Sequence, residues 1–174
     1  VWSVPTVDAR RGLLYVGTGE NYSSPATGMS DAIVAMELTT GRVRWVRQTI
    51  AGDAWNASCG GIGDGVNCPA EDGPDFDFGA PPILATLPDG RDILLAGQKS
   101  GMVFGLDPDN EGQILWRQRA GAGGYNGGIH WGMASDGATL FVGIADTTGN
   151  RGAQGARRPS LHAFEAATGR PLWS

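Results

Sequence analysis

Short runs of alternating apolar and polar residues, separated by Gly-containing turns, fill most of this chain. Alternation of period two marks a strand, because successive side chains point to opposite faces. Val4–Gly19 (VPTVDARRGLLYVGTG), Ala80–Gly97 (APPILATLPDGRDILLAG) and Trp131–Ala145 (WGMASDGATLFVGIA) each read as strand, polar turn, strand. Ala32–Trp45 (AIVAMELTTGRVRW), Met102–Trp116 (MVFGLDPDNEGQILW) and Ser160–Trp173 (SLHAFEAATGRPLW) each read as an alternating strand, a turn with Gly, and a short strand ending in Trp. No segment holds a helical apolar period long enough to predict a helix. The pattern predicts three copies of one four-stranded unit.

A four-stranded antiparallel unit repeated at ~50-residue spacing marks a β-propeller blade. One blade cannot bury both its faces, so it packs on its neighbours. Trp45, Trp116 and Trp173 then read as interblade packing residues, large flat side chains set after a turn. The expected fold is all-β, with blades at 1–49, 76–119 and 128–174 and a loop insertion at 50–75. Closed propellers take about four to eight blades, so the chain is expected to be three consecutive blades of a longer protein. A small repeating β-sandwich is the alternative.

Composition narrows the function classes. Glycine is abundant, at 29 of 174 residues with ten prolines, but no strict Gly-x-y period makes this collagen. A net charge of −5 removes the electrostatic drive toward nucleic acid or an anionic membrane. No apolar run approaches the ~18 residues of a membrane span, and no basic stretch with a following apolar run suggests a signal peptide at the start. Cys59 and Cys68 sit in a polar, Gly-rich stretch. They read either as one disulfide, hinting at an oxidising compartment, or as two unrelated thiols. His130 and His162 have no partner at metal-ligand spacing, and no Cys-x-x-Cys-His is present, so zinc and haem are not supported.

The repeat AMELTTGRVRW and its copies resemble the tryptophan-docking motif of the quinoprotein alcohol dehydrogenases. YVGTGENYS, DAWNASC, GPDFDFGAPPIL, GQKSGMVFGLD and GGIHWGMASDG extend the resemblance through essentially the whole chain, on the polyvinyl alcohol dehydrogenase-like branch. The resemblance implies an eight-bladed propeller that binds pyrroloquinoline quinone (PQQ) and calcium. It further implies oxidation of an alcohol, secondary or polymeric, to a carbonyl with hydride transfer to PQQ. A cytochrome c or similar electron acceptor and a periplasmic or secreted location go with it. Rival readings are a propeller without cofactor that serves as a binding or assembly scaffold, and a PQQ-dependent sugar dehydrogenase.

Residue by residue, the resemblance makes Trp2 the floor under the PQQ ring, since a planar quinone needs a flat surface. Glu20 stands where the family has a calcium-binding Asn, with Asn21 next, and both offer oxygen to a hard cation. Asn56 stands where the family carries its catalytic Asp, and an amide cannot act as a base. After the insertion, Asp75 falls at that place when counted back from the PPILATL strand. Asp77 is then a ligand or substitute, and Asp53 a third candidate base. On extended backbone Asp75 and Asp77 would project to one side. Lys99, the one lysine in the chain, stands at the place of a cation that stabilises charge on the reduced quinone. Trp131, after a glycine-rich approach, is expected to face cofactor or substrate. The plainer alternatives are turn residues at 20–21, solvated carboxylates at a strand entry for 75–77, and a surface turn for Lys99.

Overall fold

The computed structural model describes residues 2–59, 63–146, 152–156 and 158–174. Its described residues form no helix and twelve strands, so none forms a helix long and apolar enough to cross a membrane. The first sheet holds β1 (Thr6–Asp8), β2 (Leu13–Gly17), β3 (Ala32–Glu37) and β4 (Val43–Gln48). The second holds β5 (Ile83–Thr86), β6 (Asp92–Gly97), β7 (Met102–Asp107) and β8 (Gln113–Arg119). The third holds β9 (Met133–Ser135), β10 (Thr139–Ile144), β11 (Ser160–Glu165) and β12 (Pro171–Trp173). Each sheet is a simple antiparallel meander in chain order.

The repeat extends to a backbone irregularity. The last strand pair of each sheet slips register at one equivalent place: Ala35/Met36, Gly105/Leu106 and Ala163/Phe164. The repeated Trp of each unit pairs with the small residue there, Trp45 with Ala35, Trp116 with Gly105 and Trp173 with Ala163. A small partner is needed because the indole lies over it: a Cβ at Gly105 would sit 2.3 Å from the Trp116 ring.

Alternation along the middle sheet explains how the three sheets stack. Ile93 and Leu95 face the third sheet, in a core with Leu140, Val142, Ile144 and Phe164. Leu94 and Ala96 face the first sheet, in a core with Tyr15, Ile33, Phe104 and Leu106. Both faces of β6 are therefore buried, which is why DILLAG reads as an almost unbroken apolar run rather than an alternation. The tryptophans fasten one sheet to the next. Trp45 lies against Gly112 and Trp116 against Gly169, both turn glycines at positive φ (65° and 70°). Trp116 also donates its indole N–H to the Ala166 carbonyl at 3.0 Å. Arg11 adds a charged clasp between the first two sheets, reaching Asp8 at 2.8 Å, Asp92 at 2.9 Å and Asp109 at 2.6 Å.

These fastenings lie at the end that carries the β1–β2, β3–β4 and β7–β8 turns. The opposite end gathers the β2–β3, β4–β5, β6–β7 and β8–β9 connections, and there the chemistry collects. The long β4–β5 connection contains the insertion, closed by a Cys59–Cys68 disulfide; of the two readings of these cysteines, the structure takes the paired one. It is tied to the β2–β3 loop by Glu71, which accepts from the Ala26 N–H at 2.9 Å and from Ser24 Oγ.

Candidate functional site

Lys99 occupies the tight β6–β7 turn, and its side chain is 4 % exposed. Its ammonium donates to Asp75 Oδ1 at 2.6 Å and to Asp77 Oδ2 at 2.8 Å. The Lys99 backbone N–H also donates to the Asp77 carbonyl at 2.9 Å. Trp2, remote in the chain, donates its indole N–H to Asp77 Oδ2 at 3.2 Å. The Glu20 N–H reaches Asp77 Oδ1 at 3.3 Å. Glycine before it is obligatory, since a Cβ at Gly19 would fall 1.4 Å from Asp77 Oδ1. One oxygen each from Glu20, Asp75 and Asp77 lie within 4.8 Å of one another.

Two of these three clustered carboxyl groups, Asp75 and Asp77, share the one ammonium, and the proton affinities of the three separate accordingly. Burial and the neighbouring Asp77 push Glu20 up to about 9. Burial also pushes Asp75 up, to about 7, against the opposing pull of Lys99. For Asp77 burial works against ionisation too, but the hydrogen bond with Glu20 and the Lys99 charge outweigh it and hold the carboxyl down at about 2. Burial disfavours the Lys99 charge, yet the two aspartates more than offset it and raise its pKa. The surplus acidity is carried as protons that a hard cation would displace, and a cluster of carboxylate oxygens is the donor set such a cation takes. Asp75, held near neutrality beside a fixed ammonium, has the character of a general base.

The backbone that delivers Asp75 and Asp77 is not the extended one expected for an i, i+2 pair, nor the strand entry of the plainer alternative. Residues 73–79 lie in no strand, and Asp75 takes φ 58°, the left-handed region that a non-glycine residue seldom adopts. The two carboxylates converge through this twist rather than through extended i, i+2 geometry. Asp53, the third candidate base, is fully buried and accepts the Asp75 N–H at 3.3 Å and the Phe76 N–H at 3.0 Å. Each of its oxygens thus accepts a main-chain N–H. Asp31 is buried beside Asp53, and burial, then the hydrogen bond with Asp53, push it up to about 10.

Other expected positions fall outside the cluster. Asn21 turns its amide oxygen to Thr27, accepting from its N–H at 2.7 Å and its hydroxyl at 3.1 Å, so its side chain closes a turn instead of facing a cation. Asn56 bridges the Tyr22 and Asn67 carbonyls at 3.0 and 2.8 Å and is a loop brace. Trp131 is 76 % exposed and lies next to His130, whose ring centroid is 4.3 Å from it and 5.3 Å from Trp2. Trp2 itself is half exposed, its ring laid against Gly79, where a Cβ would come within 2.2 Å. A flat open ring beside a cation-seeking acid cluster and a buried lysine suits a planar, oxygen-rich ligand such as PQQ. Two further features had no mark in the sequence. Asp146 accepts from the Ala122, Gly123 and Gly128 N–H groups, holding the glycine-rich loop, and Gly124 N–H in turn donates to the Lys99 carbonyl at 3.0 Å.

Comparison with known proteins bears on the family and the fold. Residues 1–60 match the family model "Glucose/ethanol/alcohol dehydrogenase, beta-propeller domain", and residues 99–174 match that of "Outer membrane protein assembly factor BamB". The whole chain is 41 % identical over 174 residues to a polyvinylalcohol dehydrogenase of Pseudomonas sp. and 39 % identical over 175 residues to one of Sphingopyxis sp.. It spans about a quarter of these relatives, 26 % of each. Among solved structures, the quinohemoprotein alcohol dehydrogenase of Comamonas testosteroni superposes with a TM-score of 0.60 at 18 % identity, over 99 % of this chain and 34 % of that one. By sequence along its full length, and by a fold of three docked propeller sheets, the chain is a segment related to the PQQ-type quinoprotein alcohol dehydrogenases, on the polyvinyl alcohol dehydrogenase branch.

Proposed function

We propose that the full-length protein is a PQQ-dependent dehydrogenase that oxidises a secondary or polymeric alcohol, of the polyvinyl alcohol kind, to a carbonyl. The observation that carries this reading is the convergence of Trp2, Glu20, Asp75, Asp77 and Lys99 from distant parts of the chain on one buried acid cluster. Glu20, Asp75 and Asp77 would hold calcium, and Trp2 would carry the cofactor ring. When bound, PQQ supplies the hydride acceptor and calcium the Lewis acid that polarises it. Asp75 takes the hydroxyl proton of the alcohol on its carboxylate, and its place near neutrality lets it be ionised before the reaction and protonated after it. Lys99 fixes Asp75 and Asp77 in one geometry and supplies positive charge where the oxygen of the reacting alcohol becomes anionic. The electrons would leave to a cytochrome c or similar acceptor. The Cys59–Cys68 disulfide supports a periplasmic or secreted setting.

Reconstitution of the full-length protein with PQQ and calcium, followed by dye reduction with polyvinyl alcohol, secondary alcohols and sugars, tests the reading. Polyvinyl alcohol or secondary alcohols should reduce the dye, and Asp75→Asn should lower turnover by about 100-fold or more. Absence of PQQ binding would favour a scaffold role of the kind the BamB match suggests. Reduction by sugars alone would make it a sugar dehydrogenase.

A further inference from the structure

We propose that Asp53 is a positioning residue that sets the twisted backbone of Asp75 and so aims the base at Lys99; this rests on the reading of Asp75 as the base. Asp53 is fully buried, and its two carboxylate oxygens accept the main-chain N–H groups of Asp75 and Phe76, one each, so it meets the proposed base through backbone. Successive N–H groups point the same way only when the backbone leaves the extended form, and Asp75 does so with φ 58°. Such a conformation persists only where surrounding contacts over-determine it. Among the described residues Asp53 is the acceptor for both of these donors. An aspartate suits the task because it has two acceptor oxygens and no donor, whereas asparagine has one acceptor and an amide that would face an N–H.

The surroundings are shaped to keep Asp53 still. Its carbonyl accepts the Asn21 N–H at 3.1 Å, Trp55 N–H returns to the Asn21 carbonyl at 2.8 Å, and Gly73 N–H reaches the Ala54 carbonyl at 3.0 Å. Gly73 must be glycine, because a Cβ there would come within 2.1 Å of Asp53 Oδ1. Asp53 thus joins the strand-like segment beside Glu20 to the loop that carries Asp75, so one side chain sets the spacing between the cation-facing carboxylates on either side.

The test uses Asp53→Asn and Asp53→Ala in the full-length protein, with Asp75→Asn as comparator. Turnover is expressed per bound PQQ. Exchange of the 75–76 amide hydrogens is followed in the cofactor-free protein. Asp53→Asn should lower kcat about tenfold and Asp53→Ala about 100-fold, with KM for the alcohol within about threefold of wild type, as expected for a displaced reacting group. Exchange at residues 75–76 should accelerate while that of β6 and β7 stays slow. Unchanged turnover per PQQ, with only a lower melting temperature, would overturn the inference, as would unchanged exchange at 75–76. Should Asp53→Ala fail to accumulate, the near-isosteric Asp53→Asn decides. Wild-type turnover in Asp75→Asn would instead reject the base reading, while faster exchange in the Asp53 variants would still show the anchoring.

Discussion

Replacing Lys99 by methionine removes the one cation in the acid cluster while keeping the length of the side chain. The three side chains that meet there are only 4, 7 and 6 % exposed. Taking one partner from a buried ion pair leaves an uncompensated charge and costs about 3–5 kcal/mol. That is a large fraction of the about 5–15 kcal/mol that holds a domain folded. The pH dependence carries the diagnosis. In the wild type Lys99 has a raised pKa, so its contribution is complete below its unfolded value near 10.4 and is lost only as pH climbs through the folded value. Asp77 is depressed to about 2, so its contribution is complete above about 3.9 and is lost as pH falls toward 2. Asp75, raised to about 7, subtracts stability in both proteins as pH rises from about 4 to 7. Without Lys99, Asp77 joins it, because its carboxyl is then held up by burial; the folded variant binds the extra proton and loses stability with rising pH at up to about 1.4 kcal/mol per unit. Urea unfolding of the intact, metal-free protein, followed by far-ultraviolet circular dichroism, should show a deficit of about 3–5 kcal/mol at pH 8, shrinking by about 1–3 kcal/mol at pH 5. A deficit below about 1 kcal/mol at pH 8, or one independent of pH, would refute the argument that Lys99 compensates buried carboxylates.

Two further outcomes are expected. Trp116→Ala should cost about 3–5 kcal/mol in the same unfolding assay, and Trp116→Phe, which keeps a ring but drops the bond to the Ala166 carbonyl, about 1–2 kcal/mol. Equal losses in the two variants would show that the indole N–H, not the ring, holds the sheets together. Asp8 accepts from the Tyr15 hydroxyl at 2.9 Å and pairs with Arg11, which lowers its pKa despite burial. Its contribution is therefore present above about 3.9 and lost as pH falls below. Asp8→Asn should flatten that part of the acid-unfolding curve, and an unaltered curve would clear Asp8 of any part in acid sensitivity.

The strands were legible because period two is a property of the pleat itself, and the turns because residues such as Gly41, Gly112 and Gly169 mark positive φ. Lys99 stood out as the single lysine, and counting back from PPILATL placed Asp75 and Asp77 in one group that the structure brings onto its ammonium. The twist at Asp75 was not legible. It is imposed by Asp53, a contact across 22 positions with no local mark in the sequence. Asn21 was misleading for a related reason: its residue type suits both a cation and a turn, and Thr27, six positions on, decides for the turn. The pairing of Cys59 with Cys68 likewise depends on the path of the insertion, which neighbouring residues do not specify.

Glu20 hangs from the first sheet, Lys99 from the second, and Asp75 and Asp77 from the link between them. The cluster therefore straddles a seam and exists only while that seam is shut. Heat inactivation should then follow the parting of these two blades rather than the melting of either. A substitution at Trp45 or Arg11, at the far end of the joint, would be felt at the acid cluster without touching it.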